Sequence, residues 1–232
     1  MSAPILFEAA SVGGGYGDIR IVHDVSLRVR AGEVVCITGR NGVGKSTLMR
    51  LLAGFLDLME GEVRLRGERI DACRPHERNR RGLAYAPQEN VAFPTLSVRD
   101  NLTLHFADRS LERYGALFQQ FPRIAERLDQ KAGTLSGGER KILSFCRAMG
   151  EARDLTLLDE PTEGVQPENI GRMAQAIRGR AALGAGFVVV EQNLTLIEQA
   201  ADHVVLMDHG RCVFETVNGP GMREAIVSRL QL

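Results

Sequence analysis

Residues 33–54 read EVVCITGRNGVGKSTLMRLLAG, and the change of pattern inside this stretch decides the fold. Residues 33–38 form a near-continuous apolar run, the signature of a strand buried on both faces. Residues 39–47, GRNGVGKST, satisfy the spacing G-x-x-x-x-G-K-[ST]. From Lys45 the apolar residues recur at helical spacing until Gly54, a residue suited to closing a helix. Strand, glycine loop and helix in that order make a cradle for phosphate. Glycines let successive N–H groups turn inward, the helix start adds its positive end, Lys45 reaches the β and γ oxygens, and Ser46 can ligate Mg²⁺. The candidate phosphate contacts are therefore Gly39, Asn41, Gly42, Gly44, Lys45, Ser46 and Thr47. With 25 Gly, 3 Lys and 18 Ser or Thr in 232 residues, chance alone gives this spacing in roughly three such chains in a thousand. Lys45 stands among only 3 lysines beside 26 arginines, so a lysine kept here points to a need for a compact ammonium.

Outward from this unit, Val25, Leu27 and Val29 alternate with Ser26, Arg28 and Arg30, and Val63 and Leu65 alternate with Arg64 and Arg66. That period of two marks half-buried strands of an antiparallel flank. Residues 155–158 and 187–190 are further buried-strand runs, separated by a helical pattern over residues 167–183. This order predicts a parallel sheet with crossover helices. Residues 97–152 read as mostly helical, with Ser97 and Asp100 spaced as a capping box and Pro122 opening a further helix.

Composition narrows the classes. A chain with 44% apolar and 25% charged residues is ordinary for a packed domain, and no linker divides it. Its 29 basic and 29 acidic residues give no long-range attraction to nucleic acid or to an anionic membrane. The first residues, MSAPILFEAASV, lack the pattern of a secretory signal, and no run of 18 apolar residues spans a bilayer. Cys36, Cys73, Cys146 and Cys212 have no CxxC spacing, which fits reduced thiols in the cytoplasm.

Two more segments carry chemistry. Residues 155–160, LTLLDE, place two carboxylates at the end of an apolar strand, where ligands sit in open α/β sheets. Asp159 is the candidate Mg²⁺ ligand and Glu160 the candidate base for an attacking water. Residues 135–139, LSGGE, place Ser136 and Glu139 at capping-box spacing before a helix over about residues 137–150. Two glycines in a first turn lower helix propensity by about 1 kcal/mol each, so capping alone leaves Gly137 and Gly138 unexplained. Bare N–H groups there suit a second phosphate site. One lobe does not need two such helix starts for one nucleotide, so the Ser136 helix of one subunit is expected to close on the nucleotide held by another.

With these three motifs in this order, the chain resembles the ATP-binding cassette family, whose nucleotide-binding domains drive membrane transporters. The resemblance covers essentially the whole chain as one nucleotide-binding domain. It implies an α/β P-loop NTPase (RecA-like) core over about residues 1–90 and 153–232, an antiparallel β flank, and a helical subdomain inserted at about 91–152. ATP and Mg²⁺ are the implied cofactors. The family pattern assigns Tyr16 to stack on adenine, and Gln88 in YAPQEN to touch Mg²⁺ and the attacking water and to border the transporter-docking groove. Gln192 in VVVEQN stands where the switch histidine is usual, and Gln166 where an aspartate is usual. Both departures, with the Glu of LSGGE, look like the second ATP-binding subunit of importers for branched-chain amino acids and for amides such as urea. The implied partners are two integral membrane permease subunits, a second related ATPase or a second copy of this chain, and a solute-binding protein reached through the permease, without nucleic acid. The implied location is peripheral, on the cytoplasmic face of the inner membrane. The alternatives are a soluble cassette ATPase outside transport and a weakly hydrolysing nucleotide-dependent scaffold.

Overall fold

The computed structural model describes residues 3–89 and 92–230. Asn90 and Val91, where the sequence reading ends the core and begins the helical subdomain, lie outside them, as do Met1 and Ser2 of the N-terminal stretch. The chain opens with a hairpin of β1 (Ile5–Tyr16) and β2 (Ile19–Arg30) and continues through β3 (Val34–Thr38), α1 (Lys45–Ala53), β4 (Glu60–Leu65), β5 (Glu68–Arg69), α2 (Pro75–Arg80) and β6 (Leu83–Ala86). The predicted alternation holds in β2, where Val25, Leu27 and Val29 are buried and Ser26, Arg28 and Arg30 exposed. β2 and β4 are not neighbours, however. β1, which the pattern reading passed over, lies between them in an antiparallel sheet ordered β2-β1-β4-β5. Its glycine run lets the hairpin cross closely, because a Cβ at Gly15 would collide with the Ile19 carbonyl.

The second half runs α3 (Val98–Thr103), α4 (Gly115–Gln120), α5 (Pro122–Glu126), α6 (Gly137–Gly150), β7 (Leu155–Asp159), α7 (Pro167–Ala181), β8 (Gly186–Val190), α8 (Leu194–Ala200), β9 (His203–Asp208), β10 (Arg211–Val217) and α9 (Met222–Leu230). The Ser97 cap forms as half of the expected box, the Asp100 carboxylate accepting from the Ser97 hydroxyl and not from its N–H. The Ser97 hydroxyl accepts from the Asp100 N–H, and Pro122 opens α5. α3, α4 and α5 are each five or six residues long, so tertiary packing rather than propensity must hold them.

The central sheet is ordered β10-β9-β3-β8-β7-β6 and is parallel except at β10. Its two faces feed two cores, as a period of two requires. Val35, Ile37, Leu157 and Val188 pack with α1 and the antiparallel sheet, whereas Val34, Cys36, Leu158 and Val189 pack with α6, α7 and α8. Burial raises the pKa of both Cys36 and Cys146, keeping them neutral thiols. No helix among the described residues is long and apolar enough to cross a membrane.

Candidate active site

β3, β8 and β7 are adjacent and parallel, so their C-terminal ends meet at one edge of the sheet. After β3 the chain turns through Gly39, Gly42 and Gly44 at φ 152°, 81° and 103°, conformations that side chains rarely adopt. Gly44 precedes α1 without any side-chain cap, leaving the first N–H groups of that helix free for a ligand. Lys45 is 4% exposed. Its Nζ donates to the carbonyls of Gly39 at 2.9 Å and Arg40 at 2.8 Å and lies 3.8 Å from Glu160 Oε1. Burial lowers its pKa, opposed by the charges of Glu160 and Asp159.

β7 delivers Asp159 and Glu160. Asp159 is 2% exposed and accepts from Ser46 Oγ at 3.2 Å and the Tyr85 hydroxyl at 3.4 Å. Burial raises its pKa to about 6, a desolvation cost that a bound cation would offset. Ser46, Asp159 and Gln88 offer hard oxygen donors of the kind such a cation takes. Glu160 has φ 46°, a left-handed backbone uncommon outside glycine and met at functional sites. Its N–H still donates to Val190 O at 2.9 Å, while its carboxylate is held from both sides. Gln88 Nε2 donates to Oε2 at 2.8 Å and Gln192 Nε2 to Oε1 at 2.9 Å. Gln192 Nε2 also donates to Asn41 Oδ1 at 2.7 Å, tying the end of β8 to the glycine loop.

Asn41, Gly42 and residues 44–47 share a cavity of about 730 Å³ with Gln88, Glu160 and Gln192, a volume within the range of nucleotide-sized sites. Gly39 and Asp159 do not line it, although each bonds to a residue that does. Tyr16 does not line it. Its hydroxyl accepts from Arg50 Nη1 at 2.9 Å and its ring is 41% exposed, while Ile21 supplies an apolar wall of the cavity.

Ser136, Gly137 and Gly138 line a separate cavity of about 1050 Å³, with Gln166 on its rim and Glu163 reaching both cavities. The capping box forms, with Ser136 Oγ accepting from the Glu139 N–H at 3.3 Å and Glu139 Oε2 accepting from the Ser136 N–H at 3.0 Å. Gly138 has a packing reason that the sequence did not show: a Cβ there would sit 2.6 Å from the Gly164 carbonyl. A Cβ at Gly137 would meet nothing among the described residues, so their packing does not explain that glycine.

Sequence reasoning missed Glu191. Only 2% exposed, its carboxylate accepts from Thr162 N at 3.0 Å, Thr162 Oγ1 at 2.5 Å, Gln192 N at 2.8 Å and Asn193 N at 2.9 Å. It fixes the turn after β7 against the turn after β8. A carboxylate ending an apolar parallel strand was the available signal, the same one that singled out Asp159.

Residues 22–163 match the ABC transporter family. The chain belongs to this family. It is 34% identical over 219 residues to the high-affinity branched-chain amino acid transport ATP-binding protein BraG of Pseudomonas aeruginosa, covering 90% of this chain and 94% of BraG. It is 31% identical over 214 residues to the probable branched-chain amino acid transport ATP-binding protein LivF of Archaeoglobus fulgidus, covering 90% and 91%. A solved ATP-binding subunit of an ABC transporter superposes with TM-score 0.85 at 25% identity, covering 98% of this chain and all of that one. The chain is an ATPase of the ABC transporter family, and the fold expected from the sequence is the one observed.

In this ABC ATPase Gln192 contacts the carboxylate of Glu160 directly, and an amide can donate a hydrogen bond without becoming a cation. Gln192→Ala is expected to lower ATP turnover about fivefold, the effect of losing about 1 kcal/mol at the transition state. Gln192→His should raise turnover modestly, since a histidine can carry positive charge. Steady-state ATPase assays of the two variants check both, and an alanine variant as fast as the parent removes residue 192 from the site.

Proposed function

We propose that this ATPase powers uptake of branched-chain amino acids or short amides through separate membrane subunits, and that it hydrolyses ATP at a dimer interface. The carrying observation is the separation of the two helix starts. The glycine loop and the LSGGE segment open onto different cavities of one chain, so each needs a second subunit to complete it. The second subunit is a related ATPase or another copy of this chain. The names of BraG and LivF support the substrate class.

In this reading the loop from Gly39 to Thr47 holds the phosphates and Tyr16 offers its exposed ring to adenine. Ser46, Asp159 and Gln88 would hold Mg²⁺, which would supply charge neutralisation to the nucleotide phosphates. Lys45, freed from the loop carbonyls, neutralises the γ-phosphate, while Glu160 accepts a proton from water aligned by Gln88 and Gln192. Ser136 and Gly137 close on the partner's nucleotide, and the helical subdomain carries them.

A groove of about 1000 Å³ lies beside the site and supports docking to a permease. Pro87 and Glu89 line it, while Gln88 between them faces the ATP cavity. Phe55 and Phe93, 59% and 49% exposed, give the groove aromatic anchors. Phe55→Ser with Phe93→Ser is expected to weaken membrane retention at least tenfold, since a buried aromatic anchor contributes on the order of 2 kcal/mol. ATP binding by the purified chain should stay within twofold. Membrane fractionation and nucleotide titration measure the two arms, and undiminished retention places docking elsewhere.

The function itself is tested by uptake. Cells lacking the chain should lose accumulation of labelled leucine or of a labelled short amide and regain it with the parent chain but not with Glu160→Gln. Unaltered uptake of both solutes overturns the importer reading.

A further inference from the structure

Lys141 reaches the site from outside the cavity. It lies on α6 one helical turn beyond Gly137, with only 12% of its side chain exposed. Its Nζ donates to Gln88 O at 2.8 Å, Glu160 O at 3.1 Å and Glu163 Oε2 at 3.2 Å. An ammonium has three donors, and here all three are used. Two of the acceptors are main-chain carbonyls of the very residues whose side chains meet above them, since Gln88 Nε2 donates to Glu160 Oε2 at 2.8 Å. The same Gln88 amide reaches Glu163 Oε2 at 3.2 Å, closing a ring of contacts around the lysine.

An exposed ion pair with Glu163 would contribute little and would not require this burial. Residue choice argues further. The chain uses 26 arginines and 3 lysines, so arginine is its ordinary cation. A planar guanidinium fork spreads its donors, whereas three acceptors converging on one point fit an ammonium. Glu163 is held below the usual carboxylate range by the Gln88 amide and by Lys141, consistent with a persistent contact.

We propose that Lys141 is a positioning residue for hydrolysis, clamping the Gln88 and Glu160 loops to the start of α6 so that their side chains meet. The inference goes beyond the transport reading and rests only on ATPase activity. Because the lysine binds main chain, its loss should leave nucleotide binding intact while misplacing the reacting groups.

The test compares the purified chain with Lys141→Met, Lys141→Arg, Gln88→Ala and the double variant Lys141→Met/Gln88→Ala. Lys141→Met should lower kcat about 10- to 100-fold, the range for misplaced catalytic groups, with KM for ATP within twofold. Lys141→Arg should recover less than half of the loss on a logarithmic scale. In the Gln88→Ala background Lys141→Met should lower kcat by a clearly smaller factor than in the parent, because part of its effect runs through the Gln88 side chain and the rest through the Glu160 carbonyl. Hydrogen exchange, which needs no turnover, should show amides of residues 83–89 exchanging at least tenfold faster in Lys141→Met, with α6 still protected. A kcat within twofold of the parent, or fully multiplicative losses in the double variant, overturns the proposal, as does unchanged exchange. A parent chain inactive on its own points to a related second ATPase as the completing subunit, and the exchange arm still decides the clamp.

Discussion

Glu160→Gln is expected to lower ATP turnover by about 10²- to 10⁴-fold while ATP binding persists, the range lost when a general base is removed. The substitution keeps side-chain length and changes one oxygen to an amide nitrogen. Oε1 faces Gln192 Nε2 at 2.9 Å and Oε2 faces Gln88 Nε2 at 2.8 Å, so both oxygens now accept. An amide can accept at only one of those positions, and it cannot take a proton from water. The φ of 46° and the bond from its N–H to Val190 O belong to the backbone and should survive. Binding survives because the phosphate contacts come from the glycine loop and α1. The variant should therefore accumulate ATP-bound dimer, visible as a doubling of mass by light scattering in ATP but not in ADP. Single-turnover hydrolysis and ATP titration separate the two effects. Turnover within tenfold of the parent would sink the assignment of Glu160 as base.

The parts of the fold legible in sequence were those written in one local pattern. The run over residues 33–54 became β3, loop and α1, and the LSGGE helix became α6 over Gly137–Gly150 as expected. β9 was missed although Val204, Val205, Leu206 and Met207 are all buried, the same kind of run as β7 and β8. β1 was hidden for a physical reason. Its pairing with β2 slips register several times and it carries three consecutive glycines, so no period of two survives along it.

The site divides in the same way. Glycine-loop, LTLLDE and LSGGE chemistry is main-chain geometry and short spacing, which one segment can display. Lys141, Glu163 and Glu191 acquire their roles from partners 19 to 75 residues away. Nothing local distinguishes Lys141 and Glu163 from solvated charges, whereas Glu191 follows the fully buried strand β8. Gln88 is intermediate. Only the resemblance placed it at the site, and its geometry then showed a double contact with Glu160 and Glu163.

Arg78→Met should be the most damaging of these substitutions to stability, although Arg78 touches neither the cavity nor the catalytic groups. Its guanidinium is 1% exposed and sits at the C-terminal end of α1, where helix carbonyls have no partner of their own. Nη1 donates to Leu51 O at 3.0 Å and Leu52 O at 2.7 Å, Nε to Cys73 O at 3.0 Å, and Nη2 to Asp71 O at 2.9 Å. Positive charge there also meets the negative end of the helix. Burial lowers its pKa, which records the desolvation opposing this arrangement. Methionine removes that penalty but leaves buried carbonyls unpaired, at about 1–3 kcal/mol each. Leu51 O keeps a bond from the Gly54 N–H, so the net loss should be about 3 kcal/mol. For a chain of this length that is a fall in Tm of about 6–12 °C. Arg78→Lys should recover only part of it, because four acceptors lying in different directions suit a fork and not a point charge. The requirement is the reverse of that at Lys141, where the acceptors converge. Thermal unfolding of the two variants checks the argument, and a Tm within 2 °C of the parent for Arg78→Met would show that α1 does not depend on this cap.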